Sequence, residues 1–123
     1  MTYDTGALVA AEAGSRAMWA LHLRALQRGR RPVVPAVVLA QGWRGGPQAA
    51  LSRLLRGCRV ETLDEGSARA AGRACARSAT RDVVDAAVVV GALTRGDLVV
   101  TSDPGDLQRI AAGLRRRLAV HRI

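Results

Sequence analysis

Apolar residues along this 123-residue chain follow two rhythms: short unbroken runs, and longer stretches repeating every third or fourth position. Strands buried on both faces give the first pattern and amphipathic helices give the second. A strand of at most three residues leads into Asp4, and the small residues that follow, with Thr5 and Gly6 at the turn, open a helix. From Ser15 to Gln27 the residues Met18, Trp19, Leu21, Leu23 and Leu26 recur near helical spacing until "RGRRP" ends the helix. Pro32 to Val34 reads as a short buried strand, and Pro35 as the start of a helix through "AVVLAQGW". Gly42, Gly45, Gly46 and Pro47 then punctuate the chain, and "QAALSRLLRG" is amphipathic up to Gly57. "CRVETL" alternates as a strand does, and Asp64 with Ser67 marks the head of the helix "EGSARAAGRACARSA". Thr80 or Asp82 caps "VVDAAVVVGALTRG", which is almost wholly apolar and so belongs at the centre. "DLVVTSD" is a buried strand, "PGDLQRIAAGL" a helix and "RRLAVHRI" a closing strand.

This alternation predicts an α/β domain spanning residues 1–123, with a mainly parallel sheet flanked by helices on both faces. Open parallel sheets take ligands beyond the carboxyl ends of their strands, so residues just after the apolar runs are the candidates for chemistry.

Charge changes the picture next. All 19 basic side chains are arginine, none is lysine, and the formal net charge is +9. Arginine's planar fork pairs with phosphate, which points to a polyanionic partner and to nucleic acid first, although a GC-rich coding bias also favours arginine. No run approaches the ~20 apolar residues of a membrane span, and Asp4 stands where a secretory signal would be positive, so the expected location is the cytoplasm. Cys58 and Cys75 fit no metal-binding spacing and are expected to be reduced thiols.

Against this basic background, five of the ten acids sit at element ends that such a sheet brings together. Asp4 and Asp103 each follow a strand. Asp106 lies one turn beyond Asp103, and Asp82 and Asp85 share a face at the head of the apolar helix. Asp82 and Asp106 also suit helix capping, and Asp103 a turn before Pro104. Asp85 interrupts an apolar run, where an unpaired carboxylate costs several kcal/mol and calls for a cation or donor nearby. Clustered carboxylates of this kind suit Mg²⁺ or Mn²⁺, which take oxygen ligands, keep several waters and contact substrate phosphate.

In "DTGAL", "VPAVVLAQGWRGGPQAAL", "RDVVDAAVVVGA" and "VVTSDPGDL", in that order and over essentially its whole length, the chain resembles the PIN-domain ribonucleases, and among them the VapC-type toxins of bacterial toxin–antitoxin pairs. The resemblance implies a PIN-like, Rossmann-like three-layer sandwich and Mg²⁺- or Mn²⁺-dependent RNA cleavage leaving a 5′-phosphate and a 3′-hydroxyl. It also implies a homodimer and inhibition by a cognate antitoxin. Asp4, Asp85 and Asp103 match the family's metal-binding aspartates. Asp82 and Asp106 match positions often acidic in these toxins and bind metal directly or through water. Thr5 and Thr101 or Ser102 resemble the hydroxyl residues that orient the carboxylates. The family usually places glutamate where this chain has Gln41, whose amide ligates without charge; weaker magnesium affinity or greater reliance on Asp82 follows.

Of the other residues, Arg44 is a candidate phosphate contact, and "RGRR" and "RRR" are solvent-facing stripes adding non-specific attraction. Trp43 packs in the core, meets the antitoxin or stacks on a base; Trp19 belongs to the core or the dimer interface; Glu12 belongs to the surface. His22 and His121 stand alone and receive no catalytic role. A rival reading is a PIN-like module that grips RNA without cutting it. A phosphoacceptor receiver domain is disfavoured because it needs a lysine near its aspartates.

Overall fold

A computed structural model describes residues 1–123. In chain order the elements are β1 (Thr2–Tyr3), α1 (Thr5–Glu12), α2 (Arg16–Gln27), β2 (Val33–Pro35), α3 (Ala36–Gly42), α4 (Ala49–Arg56), β3 (Arg59–Glu61), α5 (Glu65–Ser78), α6 (Val83–Arg95), β4 (Val99–Thr101), α7 (Pro104–Gly113) and β5 (Val120–Arg122). Local chemistry fixes most of these starts. Asp4, Ser15, Asp64, Asp82 and Asp103 each stand at a helix N-cap with a side-chain oxygen accepting a backbone N–H of the first turn. Gly96, at φ 69°, ends α6 in the left-handed conformation that glycine adopts without strain. Pro35 closes β2 and stands as the α3 N-cap, where its φ of −59° serves both, so α3 begins one residue later than the sequence suggested.

The five strands form one sheet in the order β3-β2-β1-β4-β5, and every pairing is parallel, so the sheet is wholly rather than mainly parallel. With helices packed against it, this is the α/β three-layer fold expected from the sequence. Thr2 pairs with both Val33 and Val99, which places β1 at the centre. Its Tyr3, with Val34, Val99 and Val100, joins Leu8, Met18, Val38, Val88, Val89 and Leu107 in a cluster of 23 buried apolar residues. Because all strands point the same way, Tyr3, Pro35 and Thr101 end along one edge, and Asp4 and Asp103 emerge from it side by side.

Arg95, the last residue of α6, ties the sheet together, reaching from Thr2 and Asp97 at the opposite edge to Glu61 at the end of β3. Its guanidinium donates to Glu61 at 2.6 Å, to Asp97 at 3.0 Å and to Thr2 at 2.9 Å. Burial alone would raise the Asp97 pKa, but hydrogen bonds from Thr2 and Arg95 outweigh it and hold the carboxyl below its ordinary range. Gly91 lies beneath this clamp; a Cβ there would stand 3.1 Å from the guanidinium.

Two residues take more structural roles than the sequence assigned. Glu12 reaches across to accept the Leu51 N–H at 2.9 Å, so it caps α4, whose Gln48 N-cap makes no side-chain cap of its own. His22 is fully buried, with Nδ1 3.0 Å from the Tyr3 hydroxyl and its ring edge-on to Trp19. Trp19 in turn donates to the Ala11 carbonyl and lies under the Arg53 guanidinium, so it joins α1, α2 and α4. Both cysteines are free thiols, and burial pushes the Cys58 thiol up to about 12.

Candidate functional site: an acidic crevice at the carboxyl edge of the sheet

Asp4 is the innermost acid. It is 9% exposed, still bonded into the sheet through its N–H to the Val100 carbonyl, and its Oδ1 accepts the Ala7 N–H at 3.2 Å. Burial raises its pKa, hydrogen bonds from Thr101, Ala7 and Gly6 pull it back, and the Asp103 charge pushes it up again. Asp4 therefore senses Asp103 directly across the β1–β4 pair.

Asp85 is half-buried in the first turn of α6, and its pKa rises from the ordinary 3.8 to about 6. Burial is the largest cause, followed by the charges of Asp82, Asp106 and Asp4. Asp82, Asp85 and Asp106 line one groove of about 230 Å³ with Ser78, Thr80 and Arg109. All five acids singled out in the sequence are thus linked: Asp103 to Asp4, Asp4 to Asp85, and Asp85 to Asp82 and Asp106.

Their oxygens are nevertheless not gathered on one point. Asp4, Asp82 and Asp103 each turn an oxygen onto a backbone N–H as helix caps, and Asp106 pairs with Arg109. No three Asp, Glu, His or Cys side chains stand close enough to hold a metal ion between them. Magnesium needs only one or two carboxylates when water and phosphate complete its shell, so an all-oxygen set of linked pairs centred on Asp4 and Asp85 fits such an ion in its chemistry, whereas a five-carboxylate cage is not built.

The hydroxyl residues lie around the same edge. Thr101 is buried, its Oγ1 accepting the Asp103 N–H at 3.0 Å. Thr5 donates to Gln41 Oε1, which brings that amide to within one residue of Asp4. Ser102 packs against Gly6, where a Cβ would come within 2.9 Å of the Ser102 backbone nitrogen. The glycine of "DTGAL" is thereby explained: it lets α1 and the loop after β4 approach closely enough to place Asp4 beside Asp103. The sequence alone identifies Gly6 only as part of a turn.

Arg44 is exposed at the end of α3. Its guanidinium donates to the Ala40 and Trp43 carbonyls at the end of α3. The arginine the sequence left unassigned, Arg109, is the one that lines the acidic groove. Trp43 is exposed rather than in the core, beside the glycine-rich turn.

Fold and crevice together define a class: an α/β protein with an acidic, oxygen-only site at the carboxyl edge of a parallel sheet. No protein-family model matches the chain, and no curated protein sequence matches it. Among solved structures it is similar to a chain in the crystal structure of VapBC2 from Rickettsia felis bound to a DNA fragment from their promoter. The TM-score is 0.73 and the identity 15%, over 100% of this chain and 99% of the other. At that identity the likeness is one of fold.

Proposed function

We propose that this protein is a Mg²⁺- or Mn²⁺-dependent endoribonuclease, the toxin of a toxin–antitoxin pair, acting in the cytoplasm as a homodimer and restrained by a cognate antitoxin. One observation carries the reading: Asp4, Asp82, Asp85 and Asp103 crowd the end of a parallel sheet, in a strongly basic protein, and no ion pair joins any of them to an arginine. A fold keeps mutually repelling carboxylates unpaired where a hard cation is to neutralise them. The shared fold with the VapBC2 chain supports the toxin assignment and the antitoxin partner.

In this reading Asp4 and Asp85 hold the ion, with Asp103, Asp82 and Asp106 completing its surroundings directly or through water. Thr101 fixes Asp4 and the backbone before Asp103, while Thr5 and Ser102 support the same rim. A bound Mg²⁺ or Mn²⁺ would offset the charge of the phosphodiester and acidify a water for attack. Gln41 brings an amide oxygen without charge.

The test is incubation with structured RNA with and without Mg²⁺. Cutting to 5′-phosphate and 3′-hydroxyl ends is expected, and Asp4→Asn abolishes it; equal cutting by that variant rejects the assignment. Gln41→Glu lowers the metal concentration required, and no change places Gln41 outside the site. The second reading is the RNA-binding module, favoured by Gln41 and by the lack of a three-carboxylate ligand set. RNA binding in EDTA with no products at millimolar Mn²⁺ would replace the first reading with the second.

A further inference from the structure

Helix α5 carries arginine at every fourth position, Arg69, Arg73 and Arg77, and Arg81 continues the count just past its end at Ser78. All four are exposed, and the positions between them on that surface are Ala68, Gly72 and Ala76. The opposite face buries Ala71 and Ala74 where α5 packs on α6 and α7. Four residues of helix rise ~6 Å, close to the spacing of successive phosphates on an extended nucleic-acid strand. Arg69 pairs with Glu65 at 3.0 Å, but no ion pair in the molecule involves Arg73, Arg77 or Arg81. Like charges four apart weaken a helix, so this row works against α5 until an anion lies along it.

The row also has a destination. Ser78, Ala79 and Thr80 line the groove that holds Asp82, Asp85 and Asp106, and Arg109 lines it too, paired with Asp106. Ala79, left-handed at φ 53°, turns the chain there, and Arg81, exposed, follows immediately before Asp82. We propose that the Arg69–Arg73–Arg77–Arg81 row is the track along which the backbone of single-stranded RNA enters the acidic groove, with Arg109 receiving it within that groove. The proposal rests on the nuclease reading for its direction. The small residues on this face offer nothing to insert into a lipid layer, which separates it from a membrane-binding surface.

The experiment measures binding of a fluorescent single-stranded RNA in EDTA, where no cutting occurs, over a salt series. Arg73→Gln/Arg77→Gln/Arg81→Gln is compared with a control of equal charge on α2 and its end, Arg24→Gln/Arg28→Gln/Arg30→Gln. The track variant is expected to lower the slope of log K against log salt by about 2, as three lost phosphate contacts require, and to weaken binding about tenfold or more at low salt. The control keeps most of the slope. In Mg²⁺ the track variant raises KM for RNA and leaves kcat at saturation nearly unchanged. Unchanged binding in the track variant, or equal losses in both variants, overturns the proposal. So does loss of binding to phosphatidylglycerol vesicles with RNA binding intact. A wild-type chain that never cuts RNA but loses its salt slope only in the track variant sinks the nuclease reading and leaves the track standing. Circular dichroism melting of both variants verifies that α5 still folds.

Discussion

Asp85 is where function and stability conflict most directly at the level of one side chain. Its pKa of about 6 means the folded protein holds this proton more tightly than the unfolded chain, whose ordinary value is 3.8. The ionised carboxylate is therefore a destabilising group: the penalty is absent below about pH 4, grows as pH rises and is complete above about pH 6. Two units would correspond to ~3 kcal/mol, but a half-exposed group is screened by solvent, which leaves about 1 kcal/mol. Asp85→Asn should accordingly raise the melting temperature in EDTA at pH 7.5 by about 4 °C and change it little at pH 4. Equal melting temperatures at pH 7.5 would mean that Asp85 is not under the strain its neighbours impose. The sequence revealed this residue, because an acid inside "VVDAAVVV" breaks an apolar pattern. It did not reveal His22 or Glu12, whose partners Tyr3 and Leu51 lie 19 and 39 positions away in the chain. Such pairings are set by packing and leave no periodic trace.

Among the elements, the meeting of α1 with the loop after β4 decides whether Asp4 and Asp103 act together. The order of all twelve elements was legible because each helix has a capping aspartate or serine, a proline or a glycine at a boundary, and because strands and helices differ in period. The closeness of two loops was not, since glycine announces permissiveness without saying what approaches it. Gly6→Ala tests that contact. The added methyl meets Ser102, including its backbone nitrogen, so either α1 or the loop must move, at a cost of about 1–3 kcal/mol. A lower melting temperature together with a loss of RNA cutting larger than instability explains is expected. Adding Ser102→Ala restores only part of it, because the backbone contact persists. Full activity in Gly6→Ala would show that the two aspartates need no such registration. The guanidinium of Arg44 rests on the carbonyls at the end of α3, a contact no periodicity announces, and the exposed row on α5 went unread because arginine is common everywhere in this chain.

Across the whole molecule charge is used on two opposite principles. Arg95 satisfies Thr2 and Asp97 at the amino edge and reaches Glu61 at the end of β3, so charge there holds strands together. At the carboxyl edge four aspartates have no arginine partner, and charge there pushes apart. An ion that binds only the folded crevice must then stabilise the entire domain, by RT ln(1 + [ion]/Kd), or ~2.7 kcal/mol at a hundredfold excess over Kd. Melting in Mn²⁺ against EDTA should therefore show a concentration-dependent rise for the wild type. The rise should be nearly absent in Asp4→Asn/Asp85→Asn, although that variant melts higher than the wild type in EDTA through relief at Asp85. Glu61→Gln should behave in the reverse way: it leaves Arg95 less well satisfied and lowers the melting temperature in EDTA, yet keeps the full response to Mn²⁺. Because the readout is folding rather than cutting, it separates ion binding at the crevice from catalysis. A Mn²⁺ response that survives the double aspartate variant would place the ion elsewhere, and the crevice would lose its claim to be a metal centre.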